Sequence, residues 1–193
     1  GGLLKSRKSA ALPGAKIYPP TLTNSDLANI KIAKEMGVTG VMQPFVRDHS
    51  DLECVKEALR EAGAEDIRLF AKIENMDGVR KLEKLLPAAD EIVIARGDLG
   101  NAVHLWDLPG VQRQISEKCR AAGKPFMVVT QMLASMERSP VPTRAEVNDI
   151  FHAVMDGAAS IMVTGETAVG DYPVEVIRYM VNTVRSAEKE ENR

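Results

Sequence analysis

Aromatic residues are scarce, at 4% of 193, too few rings for the base-stacking platforms of single-strand nucleic-acid binders. Neither sign of charge is in excess: 25 basic side chains face 27 acidic ones. No general field therefore draws in nucleic acid or an anionic membrane. No run of eighteen or more apolar residues occurs, so no segment reads as a membrane span. A signal peptide is not expected either, because the glycine-rich, basic start lacks an apolar h-region. Cysteine is limited to Cys54 and Cys119, without CxxC spacing or a neighbouring His or Cys to complete a metal site. Both read as free thiols of a reducing, cytoplasmic setting.

What is present is a 45% apolar chain, enough for one sizeable core with at most a small appendage. It opens on Gly1-Gly2 rather than Met, which reads as a processed, tagged or partial polypeptide. Residues 1–20 are basic and broken by Leu12-Pro13-Gly14 and Pro19-Pro20, the signature of a linker or the end of another domain. Residues 21–193 alternate helix and strand signals. The spacing predicts a helix over 25–36, with Leu27, Ile30 and Ala33 among its apolar positions and Gly37 as its stop. A short apolar strand follows over 41–46. Ser50 with Glu53 reads as a capping box, opening a helix whose buried stripe is Leu52, Cys54, Val55, Ala58 and Leu59 and which Gly63 closes. Strands are expected over 67–73, 91–95, 126–130 and 161–164. Helices are expected over 78–86, from Pro109 to Gly123, from a second capping box at Thr143 and Glu146, and from Pro173 into a charged tail.

Five strands, each followed by a helix, demand a parallel sheet with helices outside it. An open doubly wound sheet and a (β/α)8 barrel both satisfy that pattern. A full barrel takes about 250 residues and eight strands, so the barrel reading implies that three strands are missing.

Sites in such folds lie where strands end, and four of the five expected strands end in unusual polar groups. These are Lys72 and Glu74, then Arg96, Gly97 and Asp98, then Thr130 and Gln131, then Thr164 and Glu166. Lys72 and Glu74 are two apart on a strand and share a face. In a barrel that face is the interior, where an unpaired charge is costly. A divalent cation would offset the cost at Glu74 and Asp98, an anionic substrate at Lys72, and two carboxylates with substrate oxygens and water suit Mg²⁺. The plain structural alternative is a Lys72–Glu74 ion pair, with Asp98 capping the following helix.

From Lys5 to Glu188 the chain resembles pyruvate kinase. The resemblance is carried by Lys72-Ile73-Glu74-Asn75, by Ala95-Arg96-Gly97-Asp98-Leu99-Gly100 and by Gly123-Lys124-Pro125. It continues in Thr130-Gln131-Met132-Leu133, Pro142-Thr143-Arg144-Ala145-Glu146, Gly165-Glu166-Thr167-Ala168 and Asp171-Tyr172-Pro173. It implies a TIM-type α/β barrel, here about five βα units of it, that moves the phosphoryl group of phosphoenolpyruvate to ADP to give pyruvate and ATP. Glu74 and Asp98 would hold Mg²⁺ (or Mn²⁺), and Lys72 would neutralise charge on the moving phosphoryl group. Backbone N–H groups of Gly97 and Asp98 would hold the substrate carboxylate. Thr130 would lie beside the carbon that gains a proton, with Thr164 and Glu166 ordering water there. Lys8 would approach the nucleotide phosphates.

Other family features are not in this chain. The family's Arg-x-Asn-x-Ser-His-Gly strand and Asp-Thr-Lys-Gly segment are missing, so the K⁺ expected from the family has no ligands here. Residues 1 to about 12 would be the end of the lid domain. Gln43-Pro44 replaces a small-residue and Ser pair, and Asn101-Ala102-Val103-His104 replaces a usually acidic stretch, leaving His104 and Trp106 in a divergent loop. Two alternatives stay open: a metal-dependent lyase or aldolase acting on the pyruvate enolate, and a non-catalytic half-barrel binding module. A five-strand piece is expected to need a homo-oligomer or a complementary barrel part, because its sheet edges and apolar faces would otherwise be exposed.

Overall fold

The structure, a computed structural model, describes residues 19–191. Apart from residues 19 and 20, the expected linker lies outside the described residues, and so does Lys8. Five strands form one parallel sheet: β1 (Gly40–Gln43), β2 (Arg68–Ile73), β3 (Glu91–Ala95), β4 (Phe126–Val129) and β5 (Ser160–Met162). Their spatial order is β1-β2-β3-β4-β5. A doubly wound sheet reverses its strand order at a switch point, and this sheet never does. Each strand instead lies beside its successor, as in a barrel wall, so the described chain is an arc of a (β/α) barrel.

The helices are α1 (Asn24–Ala33), α2 (His49–Glu61), α3 (Met76–Arg80), α4 (Leu82–Leu85), α5 (Arg96–Ala102), α6 (Leu108–Ala121), α7 (Arg144–Met155), α8 (Gly165–Ala168) and α9 (Pro173–Glu191), with a 3₁₀ turn at Ala134–Glu137. Period-two alternation divides the strand residues between two cores. Leu69, Ala71, Ile73, Ile92, Ile94, Phe126 and Val128 pack outward with helix residues such as Leu52, Leu82, Ile115 and Ile150. Val93, Ala95 and Val129 form a smaller cluster on the inner face, flanked by Phe70, Met127 and Met162. Lys72, two residues from Phe70, shares that inner face.

Several local expectations are corrected. The Ser50–Glu53 capping box does not form, because Asp48 is the cap and accepts from the Ser50 backbone N–H. The Ser50 hydroxyl donates to that same carboxylate at 2.6 Å. Cys54 is exposed rather than part of the buried stripe, whereas Cys119 is buried. The helix expected over 78–86 starts earlier, because Asn75 caps it through the Gly78 N–H, and it breaks at Lys81. β1 ends at Gln43 before Pro44, which has no N–H for a ladder. β4 ends one residue early, where the backbone turns left-handed at Thr130 (φ +77°). α8 and the 3₁₀ turn are too short to show a helical period and left no signal in the sequence.

Candidate functional site

β2 is the first strand to deliver polar groups to the carboxyl end of the sheet. Lys72 Nζ lies 2.8 Å from Glu74 Oε1, with side-chain exposures of 26% and 2% respectively. The ammonium thus reaches the rim while its counter-ion is buried. The second carboxylate oxygen accepts the Phe45 backbone N–H at 2.6 Å. Phe45 adopts φ +51°, uncommon for a bulky residue, and that turn aims its N–H across to β2. Glu74 is therefore held from its own strand and from the turn after β1, one donor to each oxygen.

β3 runs directly into α5, so Arg96, Gly97 and Asp98 occupy the first turn of that helix. Register pairs Ile73 with Ile94, which brings Asp98, four residues beyond Ile94, to the same end of the sheet as Glu74. Asp98 and Gly97 are exposed. α5 has no side-chain cap. Of the plain structural alternative, the Lys72–Glu74 ion pair is thus present and the Asp98 cap is not.

Thr130 closes β4 with φ +77° and Gln131 follows with φ +52°. A β-branched residue there is a genuine outlier, costing on the order of 1–3 kcal/mol that surrounding contacts must hold. Those contacts come from the β3–α5 junction. Gly97 donates its N–H to Thr130 Oγ1 at 2.8 Å, and Arg96 Nη2 donates to the Thr130 carbonyl at 2.7 Å. The residues beyond β5, which ends at Met162 rather than at the expected Thr164, divide: Thr164 is exposed, while Glu166 is 2% exposed. Glu166 accepts the Leu133 N–H at 3.2 Å on one oxygen and the Thr164 N–H at 2.8 Å on the other. It staples the loop after β4 to the loop after β5.

With that geometry in view, a family model described as the pyruvate kinase barrel domain matches residues 1–177. The chain belongs to the pyruvate kinase family. It is 42% identical over 188 residues to the pyruvate kinase of Bacillus licheniformis, covering 97% of this chain and 32% of that protein. The match to that of Dictyostelium discoideum is 42% over 185 residues, covering 96% and 36%. For Candida albicans it is 41% over 188 residues, covering 97% and 37%. The chain spans about a third of the length of these pyruvate kinases.

Two carboxylates, Glu74 and Asp98, could contribute to holding a divalent metal ion. Glu74 and Asp98 are hard oxygen donors at neighbouring strand ends, and a carboxylate with one donor on each oxygen keeps further acceptor positions. Among the described residues, no group of three or more His, Cys, Asp or Glu could hold a metal by itself, so any ion here would keep water or substrate oxygens. Three contributors were not singled out as site residues from sequence. Phe45 acts through its backbone, Asp149 through a contact 53 residues away in sequence, and Asn75 by gripping the Val46 carbonyl at 3.1 Å while capping α3. Only Asn75 left a local signal, its place just before the expected helix. His104 and Trp106 stack at 4.7 Å between ring centroids in a surface loop, where both are exposed.

Proposed function

We propose that this chain carries the phosphoenolpyruvate half of a pyruvate-kinase-type site, which moves a phosphoryl group to ADP. The observation that supports it most is the Lys72–Glu74 pair, an inward lysine at the sheet mouth whose buried counter-ion is fixed by Phe45. Lys72 faces the phosphoryl group as the enol C–O–P link opens and the group passes to the terminal phosphate oxygen of ADP. The charge it neutralises spreads over the transferring oxygens, and such electrostatic positioning carries most of this chemistry. Glu74 and Asp98 would hold Mg²⁺ or Mn²⁺, which would supply charge neutralisation for the anionic substrate. The Asp98 N–H receives the carboxylate, the Gly97 N–H being committed to Thr130 Oγ1. The enolate left behind takes a proton at its methylene carbon beside the Thr130 hydroxyl, with Thr164 at the same rim. The roles of Lys8 toward ADP and ATP, and of the K⁺ site, rest on the family alone.

The test is Mg²⁺-dependent binding of oxalate, a planar mimic of the pyruvate enolate, by titration calorimetry. Lys72→Met and Glu74→Gln should each weaken it at least about tenfold, the loss expected for a buried charge-assisted contact. A folded chain indifferent to oxalate in Mg²⁺ would sink the proposal. Pyruvate formation from phosphoenolpyruvate and ADP should be weak or absent from the 193 residues alone, which lack the family's phosphate-clamping arginine. Turnover of an oxo acid without ADP would instead point to a lyase.

A further inference from the structure

Arg96 is buried to 11% exposure, and its guanidinium spans three elements. Nη1 reaches both carboxylate oxygens of Asp149 on α7, at 2.8 and 2.7 Å. Nη2 donates to the Thr130 carbonyl at 2.7 Å and to Met132 Sδ at 2.8 Å, and Met132 is fully buried. The adjacent Gly97 N–H holds the Thr130 hydroxyl. One β3–α5 junction therefore grips both polar ends of a threonine whose backbone is left-handed. Released from that grip, a β-branched residue has every steric reason to return to negative φ, which would swing its hydroxyl off the rim.

We propose that Arg96, anchored by Asp149, is a positioning residue that keeps Thr130 in its left-handed conformation and its hydroxyl on the Gly97 N–H. A lysine cannot substitute. Its single ammonium cannot serve a carboxylate on one side and a carbonyl on the other in fixed directions, as a planar guanidinium does. The consequence for catalysis rests on the reading above, that proton delivery to the enolate occurs beside Thr130.

The experiment has two independent arms on the full 193-residue chain. In the first, amide hydrogen exchange is followed by NMR. Gly97 is exposed, so its amide owes its protection to the Thr130 hydroxyl, and Thr130→Ala calibrates the loss. Arg96→Lys should speed Gly97 exchange more than about tenfold, with the Val93 and Val128 amides of the flanking strands essentially unchanged. Asp149→Asn, a milder variant should Arg96→Lys fold poorly, should give a smaller change in the same direction. Unchanged Gly97 exchange, or equal acceleration at all three amides, overturns the positioning role. The second arm measures deuterium uptake into the pyruvate methyl group with Mg²⁺, a half-reaction that needs no nucleotide. Arg96→Lys should lower kcat about tenfold or more with KM for pyruvate within about twofold, the pattern of a group felt only at the chemical step. Deuterium uptake absent from the wild-type chain counts against the functional reading, while the Gly97 amide still decides the role of Arg96.

Discussion

Asp51 shows how a single group can be assigned a sign. Burial pushes its pKa up, but hydrogen bonds from the Arg47 side chain, the Thr21 hydroxyl and the Arg47 backbone, with the Arg47 charge, outweigh it and bring it down to about 2. The geometry agrees: Arg47 Nη2 lies 2.6 Å from one oxygen and Thr21 Oγ1 donates to that oxygen at 2.6 Å. A folded-state value below the unfolded one gives stability that is complete above about pH 4 and lost as pH falls toward about 2. Urea titrations across that range should show the wild type losing on the order of 2 kcal/mol that Asp51→Asn does not lose. Parallel acid limbs for the two proteins would contradict it. Gly78 makes a steric case. A Cβ there would stand 2.7 Å from the Val46 carbonyl oxygen, a backbone atom that Asn75 already holds and that cannot move aside cheaply. Gly78→Ala should therefore cost about 1–3 kcal/mol, the usual penalty of overpacking, read as a lower urea midpoint with unchanged slope. At Gly110, where a Cβ would meet nothing within 4 Å, the same change should not destabilise, because alanine is the better helix former.

Among elements, what could be read from sequence depended on how local its cause is. β3 occupies its expected residues because five apolar or terminal positions between breakers have no competing period. The α7 box at Thr143 and Glu146 forms as expected, since both partners lie within one turn. The Ser50–Glu53 box fails because Asp48, two residues earlier, offers a charged acceptor to the Ser50 N–H that Glu53 would have taken. In the site, the shared face of Lys72 and Glu74 follows from the two-residue period of a strand and was legible. The left-handed backbone of Thr130 was not, since its causes, Arg96 and Gly97, act from another strand and threonine by itself disfavours that conformation. Likewise Phe45 meets Glu74 across 29 residues of sequence. α7 gives the element-scale prediction. Glu146 accepts the Ser135 N–H at 2.7 Å as well as closing the box on Thr143, tying the 3₁₀ turn to the helix start. Thr143→Ala should cost about 1 kcal/mol, as lost N-caps do. Glu146→Ala should cost more, because it also frees Ser135, and thermal unfolding of both variants would rank them. Equal losses would mean that the tie to the turn contributes nothing.

For the whole molecule, the decisive fact is that the sheet of the described residues ends on both sides. β1 and β5 have one strand neighbour each among the described residues, so each leaves an edge without a ladder partner there. Apolar side chains lie exposed on both flanks: Met42 at 39% and Phe45 at 55% near β1, and Val169 at 66%, Val174 at 63% and Ile177 at 43% beyond β5. Val174, Ile177 and Val181 recur at helical spacing on α9 and form one exposed stripe. Open edges beside apolar stripes are the conditions under which chains pair with other chains. The isolated polypeptide should therefore self-associate, its weight-average sedimentation coefficient rising as concentration goes from about 5 to about 200 µM. Two variants separate the causes. Val174→Lys with Ile177→Lys charges the α9 stripe and should suppress association driven by apolar contact. Met42→Lys charges the β1 edge and should suppress strand pairing, the remedy natural edge strands use. If the chain instead sediments as a monomer throughout that range, the arc is closed or covered in solution in a way that its exposed strands and helix faces do not reveal.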